Sequence, residues 1–543
     1  MTELHEKHKV SITEARQNDL EVSETNDTSQ HHRTDETHRG LKSRHIQLIA
    51  IGGTIGTALF VGSGEILTAS GPASLLMAYT WMSGLVWFIM LDLGEMTAYM
   101  PIKGLTVPYL VDRFVDPSLA FATGWNYWLA FSINIAAEAT VSSLVIKFWG
   151  IDVHSSVWIT MILVVCFLLN IFAVAFFGEA EFWFASIKVL AILGLLILGV
   201  VLFFGGGPSG EATYFRYWNN PGAFNPSLVP GATGRFLAVW YAMIRSAYAF
   251  ILSPELIPMT AGECIAPRRN IPRATSRYIY RLVFFYIGGA LVIGVIIPYN
   301  DKQLLSKTIR AGSTSAASPF VAAIQNAGIP VLKHIVNAVI LTSAWSSGNS
   351  FFYASSRMLY SMACTGNAPQ FFAKCNQDGV PYYAVIASLL LGCVAYINAS
   401  ATGGQVFMWL TSIIDNNGFI SWVRFRKATL LYGIFDHLPF KSPFQPYGTY
   451  FTLCFIILLL LTNGFWLFFP GNFTASNFLT AYISIPLFLV LYGGHKMFHR
   501  TSWYRPISEI DLFSGLEEVE EITAADIKPV PKNWLERIWF WIC

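Results

Sequence analysis

Runs of about 20 apolar residues, separated by short polar stretches, recur along most of this chain, and each is long enough to cross a bilayer as an α-helix. The windows fall near 45–68, 72–99, 118–146, 157–177 and 184–205, then near 235–261, 278–298, 333–362, 381–399 and 405–423, and finally near 449–469 and 477–496. A loop over 206–234, rich in Gly, Pro, Asn and aromatic residues, divides the first five from the next five. This pattern predicts an all-α polytopic membrane protein with twelve transmembrane helices. A polar, disordered N-tail (1–40) and a polar C-tail (499–543) flank a membrane domain over 41–498. Lys and Arg gather at alternate span ends, as at Lys42, Arg44, Lys103, Arg113, Arg268, Arg269, Arg424 and Lys496. By the positive-inside rule both termini are then cytosolic.

Two windows are interrupted. Ile49 to Gly64 reads IAIGGTIGTALFVGSG, with Gly52, Gly53 and Gly56 beside Thr54 and Thr57. Each glycine weakens a helix, so a break is expected. Unwound backbone at membrane depth survives where it lines a cavity, and N–H groups freed beside a half-helix N-terminus suit a carboxylate. The alternative is close helix packing, because Gly52 and Gly56 also fit a GxxxG spacing. In the sixth window Ser253-Pro254 and Pro258 interrupt AYAFILSPELIPMTAGE, and proline removes a backbone donor and clashes with the preceding turn. Interruptions at corresponding places in two sets of five spans point to a transporter site.

Charges inside the spans are costly unless paired, hydrated or used. Glu138 lies mid-span, Glu255 follows the sixth-span break, and Lys188 lies in FASIKVLAILG. These three are proton-site candidates; for Lys188 and Glu255 a structural ion pair or a snorkelling side chain is the alternative. Asp92 and Glu95 sit near a membrane edge and read as structural. Arg357 anchors the cytosolic end of span eight, and Arg245, about two turns from the break, lines an outer vestibule.

Composition narrows the class. The chain is 54% hydrophobic, 15% aromatic and 13% charged, more apolar than a soluble protein of this length. Its net charge of +2 and the lack of a basic face give no reason to expect a nucleic-acid partner. The cysteines form no CxxC pair, and His31, His32 and His38 stand in a polar tail without partners, so no metal site is assigned. No HExxH, nucleophile elbow or pair of intramembrane aspartates supports an enzyme.

Several motifs jointly carry a family resemblance: GGTIGTALFVGSG, GEMTAYMP, GWNYW, GEAEFWFASIKV, PELIPMTAGE followed by PRRNIPRA, NSFFYASSRMLY, GNAPQFF, LPFKSPFQPYG and EIDLFSGLEEVEE. From Gly40 to Glu521 the chain resembles fungal amino acid permeases of the amino acid–polyamine–organocation superfamily. The resemblance implies a leucine-transporter-like core of 5+5 inverted repeats, repeat one at about 41–205 and repeat two at about 235–427, plus two helices at about 449–498. It implies import of an amino acid substrate across the plasma membrane by proton symport with alternating access, the proton being the coupling ion and no cofactor being needed. Carried over by position, the backbone of Ile55, Gly56, Thr57 and Ala58 receives the substrate carboxylate. Thr54 and the stretch Phe250, Ile251, Leu252 and Ser253 offer carbonyls to the ammonium group, while Glu138 and Glu255 adjoin the same site. Lys188 takes the place of a sodium ion used by relatives, and Ser347 and Asn349 close that second, proton-coupling site.

The sequence departs from the family in three places. Gly56-Thr57-Ala58 stands where Gly-Thr-Gly is usual, and Ala249 to Glu255 replaces a Phe-Ser-Phe-x-Gly-x-Glu pattern, so side-chain specificity does not carry over. Span ten, 406–423, reaches only about 27 Å and has Asp415, Asn416 and Asn417 at its centre. It reads as shortened, which leaves a transport-impaired permease, or a non-transporting amino acid sensor, as the alternative functions.

Overall fold

A computed structural model describes residues 36–526 except 53–54, 152, 209, 227, 251, 306–317, 400–416 and 504, together with 532–534 and 536. Among the described residues the fold is helical, with one isolated parallel bridge between Leu41 and Cys264. In chain order the helices are α1 (Ser43–Gly52), α2 (Ser63–Ser70), α3 (Pro72–Tyr99), α4 (Val107–Phe114), α5 (Pro117–Ile146), α6 (Ser155–Ile171) and α7 (Val174–Phe203). Then come α8 (Gly231–Phe250), α9 (Leu256–Ala261), α10 (Pro267–Tyr280), α11 (Gly288–Ile296), α12 (Pro319–Asn326), α13 (Pro330–Cys364) and α14 (Tyr382–Gly392). The last are α15 (Asn417–Leu431), α16 (Tyr447–Leu461), α17 (Ala475–Tyr482), α18 (Ser484–His499) and α19 (Leu516–Ala525). Pro72, Pro117, Pro267, Pro319 and Pro330 each open a helix, where a missing N–H costs nothing.

Among the described residues, four helices are long and apolar enough to cross a membrane: Pro72–Tyr99, Pro117–Trp149, Val174–Phe203 and Pro267–Ile296. The remaining windows resolve into shorter pieces or into helices with polar faces. The window near 333–362 holds α13, which packs along α5 and buries Ser343, Ser346, Ser347, Asn349, Ser350 and Arg357. A helix with so many buried polar groups can persist in a membrane only when other helices enclose it. Span ten begins outside the described residues, as do Asp415 and Asn416. The described α15 runs through the basic run at Arg424 to Leu431, with Trp422 and Phe425 buried.

α7 shows how the chain sorts polarity. Phe176, Trp183, Leu190, Ile197 and Phe204 recur every seven residues and are exposed, forming a lipid-facing stripe. On the opposite face Gly178, Glu181, Ala185, Lys188, Ile192, Leu195, Gly199 and Leu202 are buried at three- and four-residue spacing. Glu181 and Lys188 therefore point into the protein, whereas Glu179 is partly exposed and pairs with Arg44.

Both tails meet on one face. Arg39 donates to the carbonyls of Ala261, Cys264 and Pro101 and pairs with Glu518 of α19 at 3.2 Å. Arg113 of α4 pairs with Asp511 at 3.1 Å and donates to the carbonyl of Ser514 at 2.7 Å. Arg269 pairs with Asp526 at 2.8 Å.

Candidate functional site

α1 stops at Gly52, and Ile55 and Gly56 are non-helical before a π-helical turn, Ala58–Gly62, leads into α2. Close approach explains the glycine at 56: a Cβ there would meet the Ser347 side chain at 2.6 and 2.8 Å and collide with the Glu138 carboxylate. Backbone groups released by the break find side-chain partners. The amide of Thr57 makes a long bond to Glu138 Oε1 (3.4 Å), and its hydroxyl donates to Oε2 at 3.0 Å. Ser343 donates to the carbonyl of Ile55 at 2.7 Å, and the buried Arg281 donates to that of Ala50 at 2.9 Å, at the negative end of α1.

The second break lies between α8 and α9. Leu252 has φ +61, a left-handed conformation that is unusual for leucine, directly before Ser253-Pro254. Tyr286 donates to the carbonyl of Ala249 at 2.9 Å, so one span satisfies the ends of both broken helices, through Arg281 and Tyr286. Phe250 stacks on Tyr286 with centroids 4.3 Å apart and meets Tyr79 edge-on. Ser253 shares a hydrogen bond with Tyr278 at 2.8 Å, and Glu255 accepts one from Tyr127 at 3.1 Å.

Of the residues singled out in sequence, Ile55, Gly56, Thr57, Glu138 and Ser347 come together at the first break. Ala58 is half-buried and opens the π-helical turn. Ser253 and Glu255 are engaged by Tyr278 and Tyr127 at the second break. Thr54 and Ile251 lie outside the described residues. Lys188 is fully buried with its Nζ 3.9 Å from Glu181, and it also lies within electrostatic reach of Glu138. Asn349 accepts a hydrogen bond from Asn170 of α6 at 2.8 Å.

Arg245 and Arg357 differ from their expected settings. Arg245 does not stand alone in a vestibule: it pairs with Glu65 of α2, donating from Nε at 2.9 Å, and Tyr241 donates to the same oxygen at 3.2 Å. Arg357 does not reach an interface: it is 4% exposed and pairs with Glu263 at 2.9 Å, whose other oxygen accepts from Tyr353 at 2.7 Å. Glu181, Glu65, Arg281, Tyr286, Tyr127 and Tyr278 escaped the sequence reading. Glu181 carried a usable signal, because it lies seven residues before Lys188, two turns along the same face.

Comparison with known proteins agrees with this architecture. A family model described as amino acid permease matches residues 45–505. The chain is 55% identical over 513 residues to a proline-specific permease of Emericella nidulans, covering 93% of each. It is 51% identical to a probable proline-specific permease of Schizosaccharomyces pombe, with 90% of each covered, and 38% identical to a lysine-specific permease of Saccharomyces cerevisiae, with 94% and 83% covered. Among solved structures a manganese transporter of Eremococcus coleocola shares the fold, with a TM-score of 0.51 at 12% identity over 83% of this chain and 92% of that one.

Proposed function

Because this chain belongs to the amino acid permease family and is a fungal-type member of it, we propose that it imports L-proline across the plasma membrane by proton symport with alternating access. The observation that carries the reading is the contact between Glu138 and Thr57. The break in the first span presents an amide and a hydroxyl to a carboxylate, and a carboxylate of the protein occupies them. An amino acid carboxylate fits the same donors once Glu138 turns aside, and Glu138 is then free to receive the substrate ammonium. Proline, whose ring nitrogen carries one N–H fewer than a primary ammonium, needs fewer acceptors from the break. Its ring carries no polar group, in keeping with the aromatic wall of Phe250, Tyr79 and Tyr286. Proline enters the reading through the three proline-specific relatives, which are 48–55% identical.

The same reading takes the chain as twelve crossings, a 5+5 inverted-repeat core plus two, with both termini cytosolic. The Arg39–Glu518 pair supports it, since an even number of crossings returns the second tail to the face of the first. The face of the tails is then the cytosolic one. In this scheme Lys188 belongs to the proton-coupling site, which Ser347 and Asn349 close. The test is uptake of labelled L-proline in a permease-deficient cell, with and without a proton uncoupler. Saturable uptake abolished by the uncoupler is expected; proline binding at the surface without uptake would make the protein a sensor and overturn the proposal.

A further inference from the structure

Glu181 and Lys188 face the interior of α7 with both side chains at 0% exposure. Their separation of 3.9 Å is longer than a close N–H···O contact. Ser346 donates to Glu181 Oε1 at 2.8 Å, whereas Oε2 makes no hydrogen bond although the Ser350 hydroxyl lies beside it. An ionised carboxylate with one idle oxygen is an expensive arrangement away from water. A neutral carboxyl fits the same pocket at less cost, because its O–H can donate to the neighbouring hydroxyl.

We infer that Glu181 is the proton acceptor of the transport cycle, acting with Lys188. This rests on the proton-symport reading above. The Glu181 carboxylate takes one proton from the side on which substrate enters, forming an O–H bond at Oε2, and returns that proton to the cytosol after the substrate has left. Lys188 stays an ammonium throughout, so the pair changes from neutral to singly positive and back.

The consequence reaches the substrate site through charge. Glu138 is the other carboxylate acting on the Lys188 ammonium. Once Glu181 is neutral, the pull of Glu138 on Lys188 is no longer opposed by that of Glu181, so the ammonium competes with Thr57 for the Glu138 carboxylate and loosens it from the donors that the substrate needs. Among the described residues, the other titratable or charged groups acting on the pair are Cys166 on α6 and Arg281 on the π-helical stretch between α10 and α11. Neither is a further carboxylate facing Lys188 from a neighbouring helix.

The full chain in proteoliposomes tests this with labelled L-proline in two assays, counterflow without a gradient and accumulation under an inward proton gradient. One pH unit sustains a roughly tenfold accumulation per coupled proton. Glu181→Gln, a fixed copy of the neutral acid, is expected to keep counterflow, to lose accumulation, and to lose the acid-side pH dependence of uptake. If that variant fails to reach the membrane, Glu181→Met, which cannot titrate and leaves Lys188 in place, is expected to give the same two results. Accumulation at the parent level in either variant would overturn the inference. Loss of counterflow as well, or failure of both variants to fold, would make Glu181 a structural residue and overturn it too. If the parent itself shows counterflow without gradient-driven accumulation, the proton-symport reading fails, a result distinct from failure of Glu181 alone.

Discussion

Arg281 donates to the backbone carbonyl of Ala50 at 2.9 Å, so a guanidinium from the seventh span closes the open end of the first. Its other terminal nitrogen donates to Tyr286 at 3.0 Å, and Tyr286 in turn closes the end of α8. The two breaks are thus terminated by neighbouring residues on one helix. Arg281→Gln should lose the charge-assisted bond and cost about 1–3 kcal/mol. Arg281→Lys keeps the charge but cannot span both acceptors with one point donor. Both variants are expected to melt at lower temperature in detergent and to transport less, Lys being the milder; an unchanged melting curve for Arg281→Gln would show that the break does not depend on this contact.

Gly56 tests the packing of the first break. Even alanine there would press on the Ser347 side chain, because its Cβ would come within 2.8 Å of the Ser347 Cβ. Gly56→Val should abolish uptake with the protein still at the surface. Gly56→Ala should reduce it, and adding Ser347→Gly should restore part of the loss, because neighbours in contact do not behave additively. Uptake at the parent level in Gly56→Val would remove the site from this position.

Arg245 and Glu65 link α2 to α8, the halves of the two broken spans that lie away from the tails. A neutralised cation steers charged ligands weakly, so raising salt should alter the apparent affinity little. Arg245→Glu alone places two carboxylates together and should impair uptake, while Arg245→Glu with Glu65→Arg should recover it. No recovery in the exchanged pair would mean that the link itself is not what matters.

The docked C-terminal segment has a predictable pH response. Burial pushes the Asp511 carboxyl up, but hydrogen bonds from the side chain and backbone of Ser514 and the backbone of Phe513, with the charge of Arg113, outweigh it and hold the group at about 2. A carboxyl held below its ordinary value contributes stability that is complete above the unfolded value and is lost only as pH falls through the folded one. Docking should therefore be constant at every pH well above the ordinary carboxylate range. Limited proteolysis after Arg505 should be slow and alike from about pH 5 to 8, and faster in Asp511→Asn; pH-sensitive cleavage of the parent chain would contradict this.

Much of both breaks was legible because glycines and prolines act locally. Gly56 at the first and Pro254 at the second disturb their own turns wherever the rest of the chain lies. Glu138 and Lys188 could be noticed because a charge in an apolar run is conspicuous by itself. The partners of the broken backbone could not. Ser343 finds the Ile55 carbonyl across 288 residues, and nothing near either residue announces the match. Arg281 went unnoticed and Arg245 read as a vestibule cation because their acceptors, Ala50 and Glu65, belong to other spans. Hydropathy windows likewise located α13 but not its role, since a helix lined with serines is recognisable as interior only when its enclosing neighbours are known.

Arg39 acts as a joint between four parts of the chain: the end of α9, the turn at Cys264, the loop at Pro101 and the C-terminal helix. Any tilt of α9 must either carry both tails with it or break these bonds. For anyone handling the protein, a bulky tag on either terminus is therefore not a passive handle, because it loads a joint that any tilt of α9 would have to carry or break. Tags placed in the loop between α7 and α8, on the far side from the tails in the twelve-span reading, leave that joint unloaded.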